Sequence, residues 1–377
     1  MSDPRVERLA ELLLDYSLQL REGQTLRIDG FDVAEPLMVA VHRAAIRRGA
    51  NAYAAVSLEG AEELLVAEGN DEQLVYKPAF TLEDFRRVDA VATIFSRGNT
   101  RSMTRLDADR QQRLLASTRE LWNMFYDRVS AGEARWVGTM FPTHAHAQEA
   151  EMSLREYEQF VYGACHVLDG EDAATHWRER SAELSARARE LEGARQIRIV
   201  GPGTDLRLDV EGRRWEAADG ILNMPDGEVF TSPVETGTEG EIRFDFPAIF
   251  NGREVEDVRL RFEGGAVVAA EAGVGEEYLR SLVGMDEGSK LVGEFAFGLN
   301  YEIDRFTRNI LFDEKIGGTV HVALGSAFKH LGGLNESGLH WDLICDLREE
   351  GEIYADGELV WRAGSFLRAP APALDHV

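Results

Sequence analysis

Apolar positions in the first 20 residues recur at helical spacing, and Ser2 or Asp3 ahead of Pro4 can serve as N-cap, so the pattern predicts a helix over 4–20. The period then changes. "TLRIDG" and "NAYAAVSL" read as strands, and "EPLMVAVHRAAIRRGA" between them carries a helical stripe ended by Gly49. "VDAVATIF" is a short apolar run that predicts a strand buried on both faces. A long helix over about 105–130 and a strand at "ARWVGTMFP" continue the alternation. Strands alternating with helices predict a parallel sheet wound on both faces.

From about 150 to 193 the pattern is helical and charged, a connection closed by Gly193. After it, "QIRIV", "DLRLDV", "EIRFDF", "VRLRFEGGAVVAAEA" and "VHVALG" alternate with period two, with one helix expected near 275–291. The expectation is an α/β fold with a doubly wound N-terminal domain over 1–193 and a β-rich α+β C-terminal domain over 194–377. No G-x-G-x-x-G joins a strand to a helix, no G-x-x-x-x-G-K-[ST] occurs, and "GPGTDL" reads as a turn, so a nucleotide enzyme is disfavoured.

One segment of the C-terminal half breaks its own pattern. In "GGLNESGLHWDLICDL", His340 and Asp342 stand two apart in an apolar run, and in a strand such residues share a face. Alone, the pair reads as a satisfied core contact. Three glutamates in the same half also sit where propensity does not favour them: Glu228 in "MPDGEVFTSP", Glu294 in "VGEFAFGLN" and Glu314 shortly before His321. Together these are six potential ligands, and mixed imidazole and carboxylate donors suit zinc, cobalt, manganese or iron. Six exceed what one tetrahedral ion takes, and a carboxylate can bridge two ions. Ligands so dispersed make no compact motif, and scattered surface carboxylates remain the alternative.

Composition narrows the partners. A formal charge of −26 and a pI near 4.8 argue against a nucleic-acid or anionic-membrane surface, leaving small molecules, peptides and cations. With 377 residues and 44% apolar content, two cores can be filled. Cys165 and Cys345 lie in apolar segments, which argues against a disulfide framework. No secretory signal pattern or membrane-length run is present, so a cytoplasmic location is expected. Lysine occurs only at Lys77, Lys290, Lys315 and Lys329.

The phrases "NMPDGEVFTSPVE", "GEFAFGLN", "LFDEKIGGTVHVALG" and "NESGLHWDLI" resemble the M29 family of metal-dependent aminopeptidases of the thermophilic aminopeptidase T type. "FPTHAHAQEAEMSLREYEQFVYGAC" is similar to that family's domain junction, and the likeness runs over nearly the whole chain. It implies a C-terminal metal-binding catalytic domain with two divalent ions (zinc, cobalt or manganese) on Glu228, Glu294, Glu314, His321, His340 and Asp342. It also implies a short peptide substrate and a homodimer whose active sites face an internal cavity. Glu228 and Glu294 would divide the bridging and general-base duties, and Asn335 and Ser337 would orient the His340 and Asp342 ligands.

The chain departs from the better-known members in two places. Phe328 stands where they carry a tyrosine seven residues after the HxALG histidine, which makes His330 a candidate to stabilise the oxyanion in its stead. The stretch from Glu314 to His321 is also two residues longer. A related branch resembles a mononuclear iron dioxygenase that opens dihydroxypyridine rings, with histidine at the position of Glu294, and a non-catalytic relative is a third possibility. "THAHAQ" places His144 and His146 close together without a third ligand, and His42 and His176 read as ordinary helix residues. Cys165 and His166, adjacent along a helix, do not face each other as nucleophile and base. Ser57 and Ser96 lack a G-x-S-x-G context, and the acidic stretch 346–358 reads as a solvated hairpin.

Overall fold

The structure, a computed structural model, describes residues 3–370. Ser2, one of the two N-cap candidates, lies outside them. Asp3 is the cap, its carboxylate accepting from Arg5 N at 2.9 Å at the start of the helix Pro4–Leu12. The helix does not run on unchanged to residue 20. It widens over Leu13–Ser17 into a π-turn, closed by Leu18 N donating to Leu13 O.

The chain divides into two compact units, Met1–Trp177 with Gly220–Pro225, and Arg178–Asp219 with Asp226–Val377. The passage between them falls inside the helix Ala173–Leu191. In the first unit the strands Thr25–Phe31, Asn51–Ser57, Ala90–Ile94 and Arg135–Thr139, with the short strand Asn223–Met224, form a wholly parallel sheet. The chain starts in Thr25–Phe31, passes through the helix Glu35–Arg47 to one neighbour, and then crosses to the other side. Ala90–Ile94 is the central apolar run, with all but Thr93 buried. The helix Ala108–Ser130 fills the long crossover, and three shorter helices, Glu59–Glu68, Asp71–Val75 and Ala79–Arg87, precede it.

The second unit holds an eight-stranded antiparallel sheet and a five-stranded antiparallel sheet. The five run in the order His340–Asp346, Thr319–Gly325, Val292–Gly298, Glu228–Thr231, Trp215–Ala218. One core takes residues from both sheets: Ile197, Leu206, Ile242 and Leu260 from the larger, Val229, Phe295, Phe297, Val322, Trp341 and Leu343 from the smaller. The helix expected near 275–291 is shorter, Glu276–Val283. Gly284 caps it, and the Asp286 carboxylate then accepts from Gly288 N and Ser289 N, folding the chain into a loop that a continuing helix would forbid. The acidic stretch after residue 346 does contain a hairpin, Glu352–Ala355 with Glu358–Arg362, but it joins the larger sheet and buries Ile353 and Trp361 fully.

Candidate metal centre

Alternation along the five strands separates two chemistries. Trp215, Val229, Phe295, Phe297, Val320, Val322, Leu324, Trp341, Leu343 and Cys345 enter the core, so their neighbours in sequence take the opposite face. Those neighbours include Glu228, Glu294, His321, His340 and Asp342. Register brings them together across the strands. Ala323 stands opposite both Glu294 and Asp342, Ala296 opposite His321, and Gly325 opposite His340. The small residues between the ligands leave space above the sheet that larger side chains would fill.

Glu294 reaches that face through an irregularity. Val292 pairs with Leu324 and Glu294 with Ala323, so one extra residue, Gly293, stands in the strand. Val292 and Glu294 would otherwise share the core face, and the bulge turns the carboxylate to the other side. A Cβ on Gly293 would sit 2.3 Å from Gly325 O and from Ser326 O. Gly293→Ala is therefore expected to distort the bulge at a cost of about 1–3 kcal/mol and to weaken metal binding at least tenfold. Metal titration beside thermal unfolding of the metal-free protein checks this, and unchanged metal affinity would count against the bulge as the device that aims Glu294.

The donor atoms converge. His340 Nε2 lies 3.2 Å from Glu294 Oε2 and 3.6 Å from Asp342 Oδ1. His321 Nε2 lies 3.7 Å from Glu294 Oε1, 3.8 Å from Glu228 Oε2 and 3.9 Å from Asp342 Oδ1. Both rings are held from behind: His321 Nδ1 donates to Glu314 O and His340 Nδ1 to Ser326 O, each at 3.0 Å. A carbonyl only accepts, so Nδ1 carries a proton and Nε2 is the nitrogen that faces the cluster. Glu294, His340 and Asp342 bring one ligand atom each within 4.8 Å of one another. Glu228 Oε2 and Asp342 Oδ1 are buried without a hydrogen-bond partner. Orphaned carboxylate oxygens of this kind are costly unless a cation completes them.

The electrostatics follow from burial and proximity. Burial alone would lower His321 and His340, but the carboxylates of Glu294, Glu228 and Asp342 around His321, and of Asp342 and Glu294 around His340, push both up to about 10. Burial pushes Glu228 well above its ordinary value and raises Asp342. Glu294 is the exception: burial raises it, yet the two imidazoles outweigh that and hold it at about 2.

Glu314 follows the short helix Ile310–Asp313, and the Asp313 carboxylate ties the loop by accepting from Thr307 N and Oγ1 and from Asn309 N. The Glu314 carboxylate is engaged by Lys315, a residue that sequence reasoning missed. Lys315 is completely buried, with Nζ 3.9 Å from both Asp226 Oδ1 and Glu228 Oε1. Burial pulls its pKa down, and the three carboxylates more than reverse the shift. Its scarcity was the available signal, since only four lysines occur among 377 residues.

The residues expected to orient the ligands do other work. Asn335 Nδ2 donates to Gly288 O and Ser337 Oγ to the Asp286 carboxylate, so both fasten the turn before His340 to the Asp286 loop and touch neither ligand. His330 is exposed and pairs with Glu216 at 2.8 Å. Phe328 packs edge-on against Phe230 and His340, at ring-centroid distances of 5.2 and 5.8 Å. Away from this sheet, His146 is half-buried and accepts from Arg97 N. His166 does not continue the helix before it: it takes a left-handed backbone, φ 55, and its ring stacks on His176.

Known proteins share both the sequence and the architecture. Aminopeptidase T of Thermus thermophilus is 27% identical over 93% of this chain and 95% of its own length. Aminopeptidase 2 of Geobacillus stearothermophilus is 24% identical over 97% and 98%. The solved structure of wild-type AmpT from Thermus thermophilus superposes with a TM-score of 0.85, at 24% identity, covering 97% of this chain and 99% of that one. Residues 2–366 match the family model described as thermophilic metalloprotease (M29), and the chain is a member of that family.

Proposed function

We propose that this chain is a metal-dependent aminopeptidase that releases N-terminal residues from short peptides through a dinuclear centre of zinc, cobalt or manganese. One observation carries the reading: the two oxygens of Glu294 face different imidazoles, Oε2 toward His340 and Oε1 toward His321. A carboxylate so placed could serve two metal positions. Asp342 and His340 would hold one ion and Glu228 and His321 the other, with Glu314 beside the second. Two divalent ions would supply Lewis-acid activation of a water and of the scissile carbonyl.

The remaining work belongs to the chain. With Glu294 as the bridge, Glu228 would take the general-base duty: its buried Oε2, without a hydrogen-bond partner, faces the cluster 3.8 Å from His321 Nε2 and, when ionised, can take a proton from water and return it to the leaving amine. His330 is bound to Glu216 and is no longer favoured as the oxyanion donor. Glutamate at position 294 also speaks against the iron dioxygenase alternative. The relatives, named as aminopeptidases, support the exopeptidase reading, the family resemblance is the ground for a homodimer, and the sequence pattern is the ground for a cytoplasmic location. No helix among the described residues is long and apolar enough to cross a membrane.

Metal analysis of the purified protein and a panel of aminoacyl-anilides test the proposal together. Two divalent ions per chain and cleavage that requires a free α-amine are expected. One iron with oxygen consumption on a hydroxylated pyridine, or cleavage of N-acetylated substrates at equal rate, would overturn it.

A further inference from the structure

Among the described residues of the second unit, Lys315 stands out as a cation with no exposed side-chain surface and three carboxylates around it. Its ammonium contacts Glu314 and lies 3.9 Å from Glu228 and from Asp226. The backbone gives it little freedom to leave. Lys315 N donates to Phe312 O at 3.0 Å, Lys315 O accepts from Asn300 N at 3.1 Å, and the Asp313 carboxylate closes the loop around it. Withdrawing the ammonium would leave buried carboxylates unpaired, a costly state.

The two halves of the centre therefore differ before any ion arrives. Glu294, His340 and Asp342 converge with no lysine or arginine paired to them, whereas Glu228 and Glu314 already have a positive partner. Taking the dinuclear reading as given, we propose that Lys315 is a built-in third cation that competes for Glu314 and Glu228 and makes the two metal positions unequal. The position at His340 and Asp342 is tight, and the position at His321 and Glu228 is weak and exchangeable. Total charge agrees. Asp226, Glu228, Glu294, Glu314 and Asp342 carry five negative charges when ionised, Lys315 returns one, and the remainder is what two divalent ions neutralise. Without the lysine, the weak position would face a stronger field and a free Glu314 carboxylate.

The test is a cobalt(II) titration of the metal-free full-length protein, followed by calorimetry and by visible absorption. The wild type should show two binding events whose Kd values differ at least tenfold. Lys315→Met should tighten the weaker event at least tenfold and move the tighter one less than threefold, while Lys315→Arg keeps the wild-type pattern. Lys315→Gln, neutral but able to hydrogen-bond Glu314, is the second neutral variant should methionine prevent folding. Two equal affinities in the wild type, or a weaker second event in both neutral variants, would overturn the role of Lys315. Absence of any bound cobalt would instead sink the metal centre itself.

Discussion

Glu294→Gln is expected to lower kcat on an aminoacyl-anilide by at least about 10³-fold, roughly 4 kcal/mol of transition-state stabilisation, and to reduce the bound metal to one ion or none. The amide keeps the shape of the carboxylate but replaces one of its two oxygens by an N–H₂ group, which only donates. Whichever way the amide turns, either the His340 side or the His321 side loses its oxygen donor, and the oxygen left to the other side is neutral. The fold should survive. Phe295 and Phe297, on the core side of the same strand, are fully buried, and each contributes about 1.5–3 kcal/mol of burial energy. Elemental analysis and thermal unfolding in chelator separate the outcomes. A folded Glu294→Gln protein that retains two ions would remove Glu294 from the bridging role.

Much of the architecture was legible because it is carried by period. The parallel strands of the first unit and the core faces of the second follow from alternation and from Gly stops, and the spacing of His340 and Asp342 put both on one strand face. Glu228, Glu294 and Glu314 were harder, since ligands scattered over four strands and a loop become a site only through register. The bulge at Gly293 was not legible at all: an extra residue is defined by the strand opposite, Thr319–Gly325, and not by the phrase "GEFAFG". Asn335 and Ser337 misled because closeness in sequence to His340 is not closeness in space, and the Asp286 loop that holds them lies some fifty residues upstream. Lys315 escaped because a lysine beside a glutamate ordinarily marks a solvated surface.

Loading divalent metal at pH 7.5 should release at least one proton per chain, and affinity should rise with pH through the neutral range. In the metal-free protein His321 and His340 titrate at about 10, pushed above the ordinary 6.5 by the carboxylates around them. Both rings are therefore protonated near neutrality, and Nε2 must give up its proton before it can act as a ligand. His321 is 1% exposed and carries the effect most fully, whereas His340, with 36% of its side chain exposed, is partly screened by water. Burial also raises Glu228 and Asp342 above the ordinary carboxylate range. The sign for stability is the opposite one. A raised histidine pKa stabilises the metal-free fold fully below about 6.5, and that contribution is lost as the pH climbs through about 10, so protons and metal ions exchange as alternative counter-charges for the same carboxylates. Calorimetric titration in two buffers of different ionisation enthalpy measures the release directly. A binding enthalpy independent of the buffer would show that the histidines are already neutral in the metal-free protein, and the charge assignment of the cluster would have to be reversed.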